Sequence, residues 1–407
     1  MRVVHVVSTP RGGAYIAARR IHESLLKEGV DSSLFVIYAD NADQRTHTYF
    51  HSRLTYSVYR AIRFRNEWQV RRLNLLGQIY EAAVGLPLYQ IEEIKNADIV
   101  HLHWVNDGGL SYRTLKELLQ NKCVVWTLHD MYPFTAGCYH SEGCLQFEAH
   151  CEHCPYARSG SAEQFVGKLF RKKADAMKGA VNIAFAGCSQ WITSLARSSS
   201  LLQGKKVLNI PNTLDTDLFH PGADKIMLPV STAEKKTVMF GAASANPKKG
   251  FDLLIQCLME LPKEEYRLLV FGGFHEDERL KDYETIYTGH ISDPEILASY
   301  YAQADVFVSP SMEDNLSNVV MESMSCGTPA VVFDIGGMRD MVEHGVNGYV
   351  AVPFDIHDLA AGIKTVCSHA EEYGVNARQT VLERFLSDKV SDHYIRLYND
   401  LLKQNDV

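Results

Sequence analysis

The segment Ser309-Pro310-Ser311-Met312-Glu313-Asp314-Asn315-Leu316-Ser317-Asn318-Val319-Val320-Met321-Glu322 runs from an apolar stretch into the opening of a helix. Backbone amides at Leu316, Ser317, Asn318 and Val319 fall where a first helical turn leaves its N–H groups unpaired, which suits an anion shaped like a diphosphate. Asp314 lies in the loop and Glu322 eight positions on, inside the helix. Both carboxylates can accept hydrogen bonds from sugar hydroxyls. A second segment, Gly241 to Asp252, places Lys248 and Lys249 just before another helix. A lysine there neutralises diphosphate charge and the helix dipole acts in the same sense, a role assigned to Lys249. The structural alternatives are an acidic loop with a solvated glutamate, and a solvated lysine pair.

Three other features carry chemistry. Val124-Val125-Trp126-Thr127-Leu128-His129-Asp130 ends an apolar strand on His129, whereas His5, His101 and His103 read as satisfied structural histidines. Gly12-Gly13 lies in the first strand-to-helix loop, where glycine lets backbone approach a ligand. Cys138, Cys144, Cys151 and Cys154 fall within 17 residues and end on a Cys-x2-Cys pair. Four soft ligands can complete a tetrahedral zinc site, structural because no open position remains. Reduced thiols are the next reading and disulfides the last, since nine cysteines without an export signal are expected to stay reduced.

These residues need a scaffold of strand-helix alternation. The first unit is strand Val3 to Val7, helix Ala14 to Lys27 and strand Ser33 to Tyr38. Strands Ile99 to Trp104, Val124 to Leu128 and Asn182 to Ala186 follow, spaced for helical crossovers. The pattern restarts with strand Thr237 to Phe240, helix Phe251 to Leu261, strand Arg267 to Phe271 and helix Pro294 to Gln303. Strand Asp305 to Ser309, helix Asn318 to Ser325 and strand Ala330 to Phe333 complete it. The predicted fold is α/β, with two doubly wound Rossmann-like domains facing a central cleft. Their expected spans are 1–205, carrying the Cys-rich insertion at 138–154, and 206–384. A terminal helix in 385–407 is expected to pack back on the first domain through Ile395, Tyr398, Leu401 and Leu402.

The acidic segment resembles the Glu-x7-Glu signature of glycosyltransferase family four, with Asp314 in place of the first Glu and the Cys326-Gly327-Thr328-Pro329 turn behind it. The resemblance extends over nearly the whole chain, through Gly12-Gly13, Asn212, Gly336-Gly337 and Asn347-Gly348, the last two pairs read as structural. It implies the GT-B fold and a retaining, nucleotide-sugar-dependent transferase without a catalytic cofactor. Glu322 would hold the ribose, Asp314 or its neighbour Glu313 the donor sugar, Lys249 the diphosphate, and His129 would sit beside the transferred sugar. Ala242 stands where the family usually has an arginine beside that lysine.

The chain of 407 residues is 46% hydrophobic and carries a net charge of -8, distributed unevenly. Residues 1–205 hold 24 Lys/Arg against 18 Asp/Glu, and the rest 17 against 31. That density is too low for a nucleic-acid partner. Six arginines lie between Arg53 and Arg72 against one acid, Glu67, in a stretch interleaved with Leu54, Tyr59, Ile62, Trp68 and Val70. An amphipathic helix of this kind suits an anionic membrane surface, a solvated helix face being the alternative. The expected protein is cytoplasmic or peripheral on the inner face of the membrane. Its expected activity is sugar transfer from a nucleotide diphosphate sugar to a glycan or lipid-linked acceptor in cell-surface polysaccharide synthesis. An inactive binding or scaffold subunit, and an epimerase or phosphorylase of the same fold, are the alternatives.

Overall fold

The computed structural model describes residues 1–39, 45–50, 53–75, 77, 79–106, 108–223, 234–242 and 244–405. The first elements are β1 (Arg2–Val7), α1 (Gly13–Lys27), β2 (Asp31–Tyr38), β3 (Thr46–Phe50), α2 (Arg53–Arg72), α3 (Glu92–Lys95), β4 (Ile99–Leu102) and α4 (Tyr112–Asn121). Next come β5 (Cys123–Leu128), α5 (Gly160–Met177), β6 (Ile183–Gly187), α6 (Gln190–Ser198) and β7 (Lys206–Asn209). The second series is β8 (Lys236–Ala242), α7 (Phe251–Leu258), β9 (Tyr266–Gly272), β10 (Thr285–Gly289), α8 (Pro294–Tyr301), β11 (Val306–Ser309) and α9 (Asn318–Ser325). It closes with β12 (Ala330–Phe333), β13 (Gly348–Ala351), α10 (Ile356–Ser368), α11 (Ala370–Arg384) and α12 (Ser387–Asn405).

The chain divides into two compact units, Met1–Pro211 with Val390–Val407, and Asn212–Lys389. The first holds a parallel sheet of order β3-β2-β1-β4-β5-β6-β7, the second one of order β10-β9-β8-β11-β12-β13. Both are doubly wound α/β sheets. In each the strand order reverses once, between β1 and β4 and between β8 and β11. Ligands of open parallel sheets bind beyond the carboxyl ends of the strands at such a reversal.

Both faces of these sheets are covered, so their central strands read as continuous apolar runs. Val4, Val6, Val100, Leu102, Val124 and Trp126 point to one face of the first sheet and join its main core. Val3, Ile99 and Val125 point to the other, where they pack with Ile21 and Leu25 of α1 and Val390, Tyr394, Leu397, Tyr398 and Leu401 of α12. The second unit has its own core around Val238, Phe240, Leu254, Leu268, Val308 and Ile363. β4 ends at Leu102, two residues short of the stretch expected from the sequence, although His103 N still donates to Val6 O. Among the described residues no helix is long and apolar enough to cross a membrane.

Candidate functional site

In the second unit the loops after β8 and β11, the two strands at the reversal, meet. Lys249 closes a short 3-10 turn, Pro247–Lys249, that Asn246 caps by accepting from Lys248 N. Gly250 follows at φ 76° and caps the start of α7. A Cβ on Gly250 would come within 1.9 Å of Pro310 O, so only glycine lets this turn lie against the β11 loop. Met312 N donates to Lys248 O at 2.8 Å and fixes the approach.

Two ion pairs result. Lys249 Nζ donates to Asp314 Oδ2 at 2.6 Å, and Lys248 Nζ stands 3.8 Å from Glu313 Oε2. The cation and the carboxylate read from the sequence as separate ligand contacts are thus each other's partners. Ala242, at the end of β8, is buried and offers no charge, so Lys248 is the second ammonium of this loop. On the far side of Asp314, Gly337 N donates to its carbonyl at 3.3 Å. Gly336, at φ 52°, has no room for a Cβ, which would lie 1.8 Å from the same oxygen. The Gly336-Gly337 pair therefore shapes the acidic loop.

Helix α9 begins at Asn318 after Ser317, whose side chain makes no capping bond to the first-turn amides. Leu316 and Ser317 are both buried. Asn212, from the Pro211-Asn212-Thr213 turn, donates through Nδ2 to Asn318 Oδ1 at 3.4 Å, and its own Oδ1 is buried without a partner. Glu322 is only 4% exposed, and its Oε2 accepts from Tyr301 OH, at the end of α8, at 3.1 Å. The sequence offered Glu322 as an acceptor for sugar hydroxyls. Packing of α8 beside α9 instead encloses it and gives it a hydroxyl donor.

The first unit joins histidines that looked unrelated in sequence. His5 and His101 are register partners on β1 and β4, and His101 and His103 follow the same two-residue alternation. His5 Nδ1 bonds His103 Nε2 at 2.9 Å, and His103 Nδ1 bonds His129 Nε2 at 2.9 Å. His101 bonds Tyr398 OH through Nδ1 and Thr127 Oγ1 through Nε2, each at 2.7 Å, and Tyr394 OH lies 3.1 Å from the same threonine oxygen. Tyrosines four apart on α12 thus line a buried polar layer on an otherwise apolar sheet face. Desolvation holds His5, His101 and His103 well below the usual imidazole range and His129 down to about 4. They are neutral at pH 7. Burial also raises the Asp130 carboxyl to about 6. His129, half-buried, is the end of a three-histidine line that strand parity in the sequence could have revealed. Gly12, at φ 84°, and Gly13 are exposed at the start of α1.

The four clustered cysteines are brought to one place. Cys138, Cys144, Cys151 and Cys154 all line a cavity of about 20 Å³ beneath Phe147 and Val166, and none of the chain's nine cysteines is in a disulfide. Buried Lys173 of α5 donates to the carbonyls of Tyr132 and Thr135, tying down the loop that carries them.

Helix α2 corrects the expected membrane face in part. Tyr59 and Val70 are buried, and Ile62 packs against the core, so these apolar residues do not face outward. Val58, Phe64 and Trp68 do, among Arg60, Arg65, Arg71 and Arg72, with the Arg72 guanidinium 5.6 Å from the Trp68 ring centre. The side chains of Arg53 and Leu54 lie outside the described residues.

Residues 234–369, which contain Lys249, Glu313, Asp314 and Glu322, match the family model described as Glycosyl transferases group 1. Among curated proteins, a D-inositol 3-phosphate glycosyltransferase of Geodermatophilus obscurus is 30% identical over 197 residues, 43% of this chain and 43% of that protein. The capsular polysaccharide biosynthesis glycosyltransferase CapM of Staphylococcus aureus is 26% identical over 172 residues, 39% of this chain and 44% of that protein. The chain thus matches less than half the length of either relative. Solved structures cover almost all of it. Sucrose-phosphate synthase of Thermosynechococcus elongatus superposes at a TM-score of 0.69 and 21% identity, over 99% of this chain and 100% of that one. HepE of Anabaena, in complex with UDP, does so at 0.61 and 15%, over 98% and 100%. At these identities the likeness is one of fold, the GT-B fold of two Rossmann-like domains.

Proposed function

We propose that this chain, whose residues 234–369 match the family model described as Glycosyl transferases group 1, transfers a sugar from a nucleotide diphosphate sugar to a glycan or lipid-linked acceptor with retention of configuration. The observation that carries the reading is the Lys249–Asp314 pair, formed where the sheet order reverses and directly before the amino end of α9. Lys249 and the first-turn amides of Leu316 to Val319 take the diphosphate, whose departure needs positive charge at the leaving oxygen. Released from the lysine, Asp314 takes a sugar hydroxyl. Glu322 holds the ribose. From the first unit we assign His129 a positioning role, in keeping with a neutral imidazole. In a retaining transfer the departing phosphate accepts the acceptor's proton, so no strong side-chain base is required.

UDP is the first nucleotide to test, because HepE has been seen with UDP and with UDP-glucose. The CapM relative supports a setting in cell-surface polysaccharide synthesis. An anionic membrane surface is the proposed location of a lipid-linked acceptor, met by the arginines of α2. A panel of nucleotide sugars and acceptors read by product mass, with linkage by NMR, tests the reading. Transfer with retention is expected, and its loss in folded Lys249→Ala and Glu322→Ala. Unchanged turnover in both variants would sink the assignment.

A further inference from the structure

We infer that Cys138, Cys144, Cys151 and Cys154 form a tetrahedral thiolate site for one zinc ion, which staples the loop that follows His129. The inference does not depend on the proposed activity, because metal content is read without donor or acceptor.

Residues 129–159 connect β5 to α5 with only two short 3-10 turns, Tyr132–Phe134 and Gln146–Glu148. A connection this long without regular elements needs another source of order. Its backbone is held in costly conformations. Glu142 and Cys151 have φ of 46° and 53°, in the left-handed region that side chains other than glycine rarely adopt. Such residues persist where their surroundings over-determine them.

The four sulfurs supply that determination. All line one cavity of about 20 Å³, room for a single atom-sized occupant. Gln146 N donates to Cys144 Sγ at 3.5 Å, the Thr135 hydroxyl donates to the Cys138 carbonyl at 2.7 Å, and Ala157 N donates to the Cys154 carbonyl at 3.0 Å, so side chains and amides of the loop itself hold these cysteines. An amide two residues after a cysteine and turned back on its sulfur, as Gln146 N is on Cys144, orients a thiolate toward a metal. His150 and His153 are exposed, so the ligand set is four sulfurs. Zinc entry displaces the thiol protons to solvent as the Zn–S bonds form.

A tighter cluster exists and is the weaker candidate. Among the described residues, the one set of three or more ligand atoms that all lie within 4.8 Å of one another belongs to His5, His101 and His103. Five of their six ring nitrogens are already in hydrogen bonds, leaving only His5 Nε2 without a partner. No three of the four sulfurs all lie within 4.8 Å of one another, a spacing wider than the roughly 3.8 Å separations of a closed tetrahedron with Zn–S bonds of about 2.3 Å. Loading therefore draws them inward.

Full-length protein, purified without chelator or polyhistidine tag, is assayed for metals and thiols. One zinc per chain is expected, released by an organomercurial as four thiols react. Cys151→Ser and Cys154→Ser should lose it, Cys144→His should keep it, and Cys367→Ser, outside the site, should be unaffected. If the serine variants do not fold, the wild-type chain stripped by chelation is titrated with Co²⁺. Thiolate-to-cobalt charge-transfer absorption saturating at one equivalent supports the site. Protein that takes up neither ion after reconstitution, iron with labile sulfide in place of zinc, or a disulfide among these four overturns it.

Discussion

Lys249 Nζ lies 2.6 Å from Asp314 Oδ2, joining two residues 65 positions apart in the chain that stand on the loops after neighbouring strands of the sheet. A ligand phosphate must therefore compete with Asp314 for the lysine. Lys249→Ala removes a charge-assisted bond of about 1.5–3 kcal/mol and should weaken UDP binding roughly 10- to 100-fold by calorimetry. Asp314→Asn releases the lysine, so UDP should bind at least as well while sugar transfer falls. With the lysine about a third exposed, the pair's own contribution to stability is ~1 kcal/mol at most. Equal loss of UDP affinity in both variants would contradict this division of roles.

The acidic loop is shaped by a glycine with no freedom to change. In Gly336→Ala the Cβ would meet Asp314 O at 1.8 Å in a left-handed conformation. A loss of at least ~2–3 kcal/mol is expected from denaturant unfolding. Protein that still folds should bind UDP more weakly, because Asp314 and the start of α9 must move. Gly345→Ala, left-handed but with nothing near its Cβ, is the control and should lose only the backbone term.

The stabilising bond between Tyr301 and Glu322 can be tested apart from the part Glu322 takes in ligand binding. Tyr301→Phe leaves a 4%-exposed carboxylate without one donor and should cost about 1–2 kcal/mol. Glu322→Gln keeps an acceptor for the tyrosine and should fold nearly normally while binding UDP poorly. If Tyr301→Phe and wild type unfold at the same denaturant concentration, the bond contributes nothing.

The buried histidines set a sign for acid stability. Their folded pKa values are depressed, so their stabilisation is whole above the unfolded value near 6.5 and is lost as pH falls through the folded values, about 4 for His129. For half-buried His129 this is at most roughly 3 kcal/mol. Asp130, raised from 3.8 to about 6, acts oppositely, its contribution lost as pH rises through about 6. Four groups against one predict that stability falls from pH ~6.5 to ~4. His103→Gln, which does not titrate, should flatten the slope. A slope identical to wild type would exclude His103 as a contributor.

Helix α2 should carry salt-sensitive attachment to anionic vesicles through Phe64, Trp68 and the arginines beside them. Arg65→Glu with Arg72→Glu should abolish flotation with phosphatidylglycerol vesicles and leave thermal unfolding within a degree or two. Flotation unaffected by charge reversal and salt would rule this surface out.

Local patterns were enough for the alternation of strands and helices, because apolar period and turn residues act over a few positions. Helix Asn318–Ser325 and strand Ala330–Phe333 can be read to the residue for that reason. So can the identity of Lys249, Asp314, Glu322 and the four cysteines as residues worth following. The sequence did not determine what these side chains touch. Strand order brought the β8 and β11 loops together and turned a cation and an acid into partners. The packing of α8 closed over Glu322, and α12 placed Tyr394 and Tyr398 above a histidine row that looked structural. Pairings between residues tens to hundreds of positions apart leave no local period to read, so only the folded chain decides them.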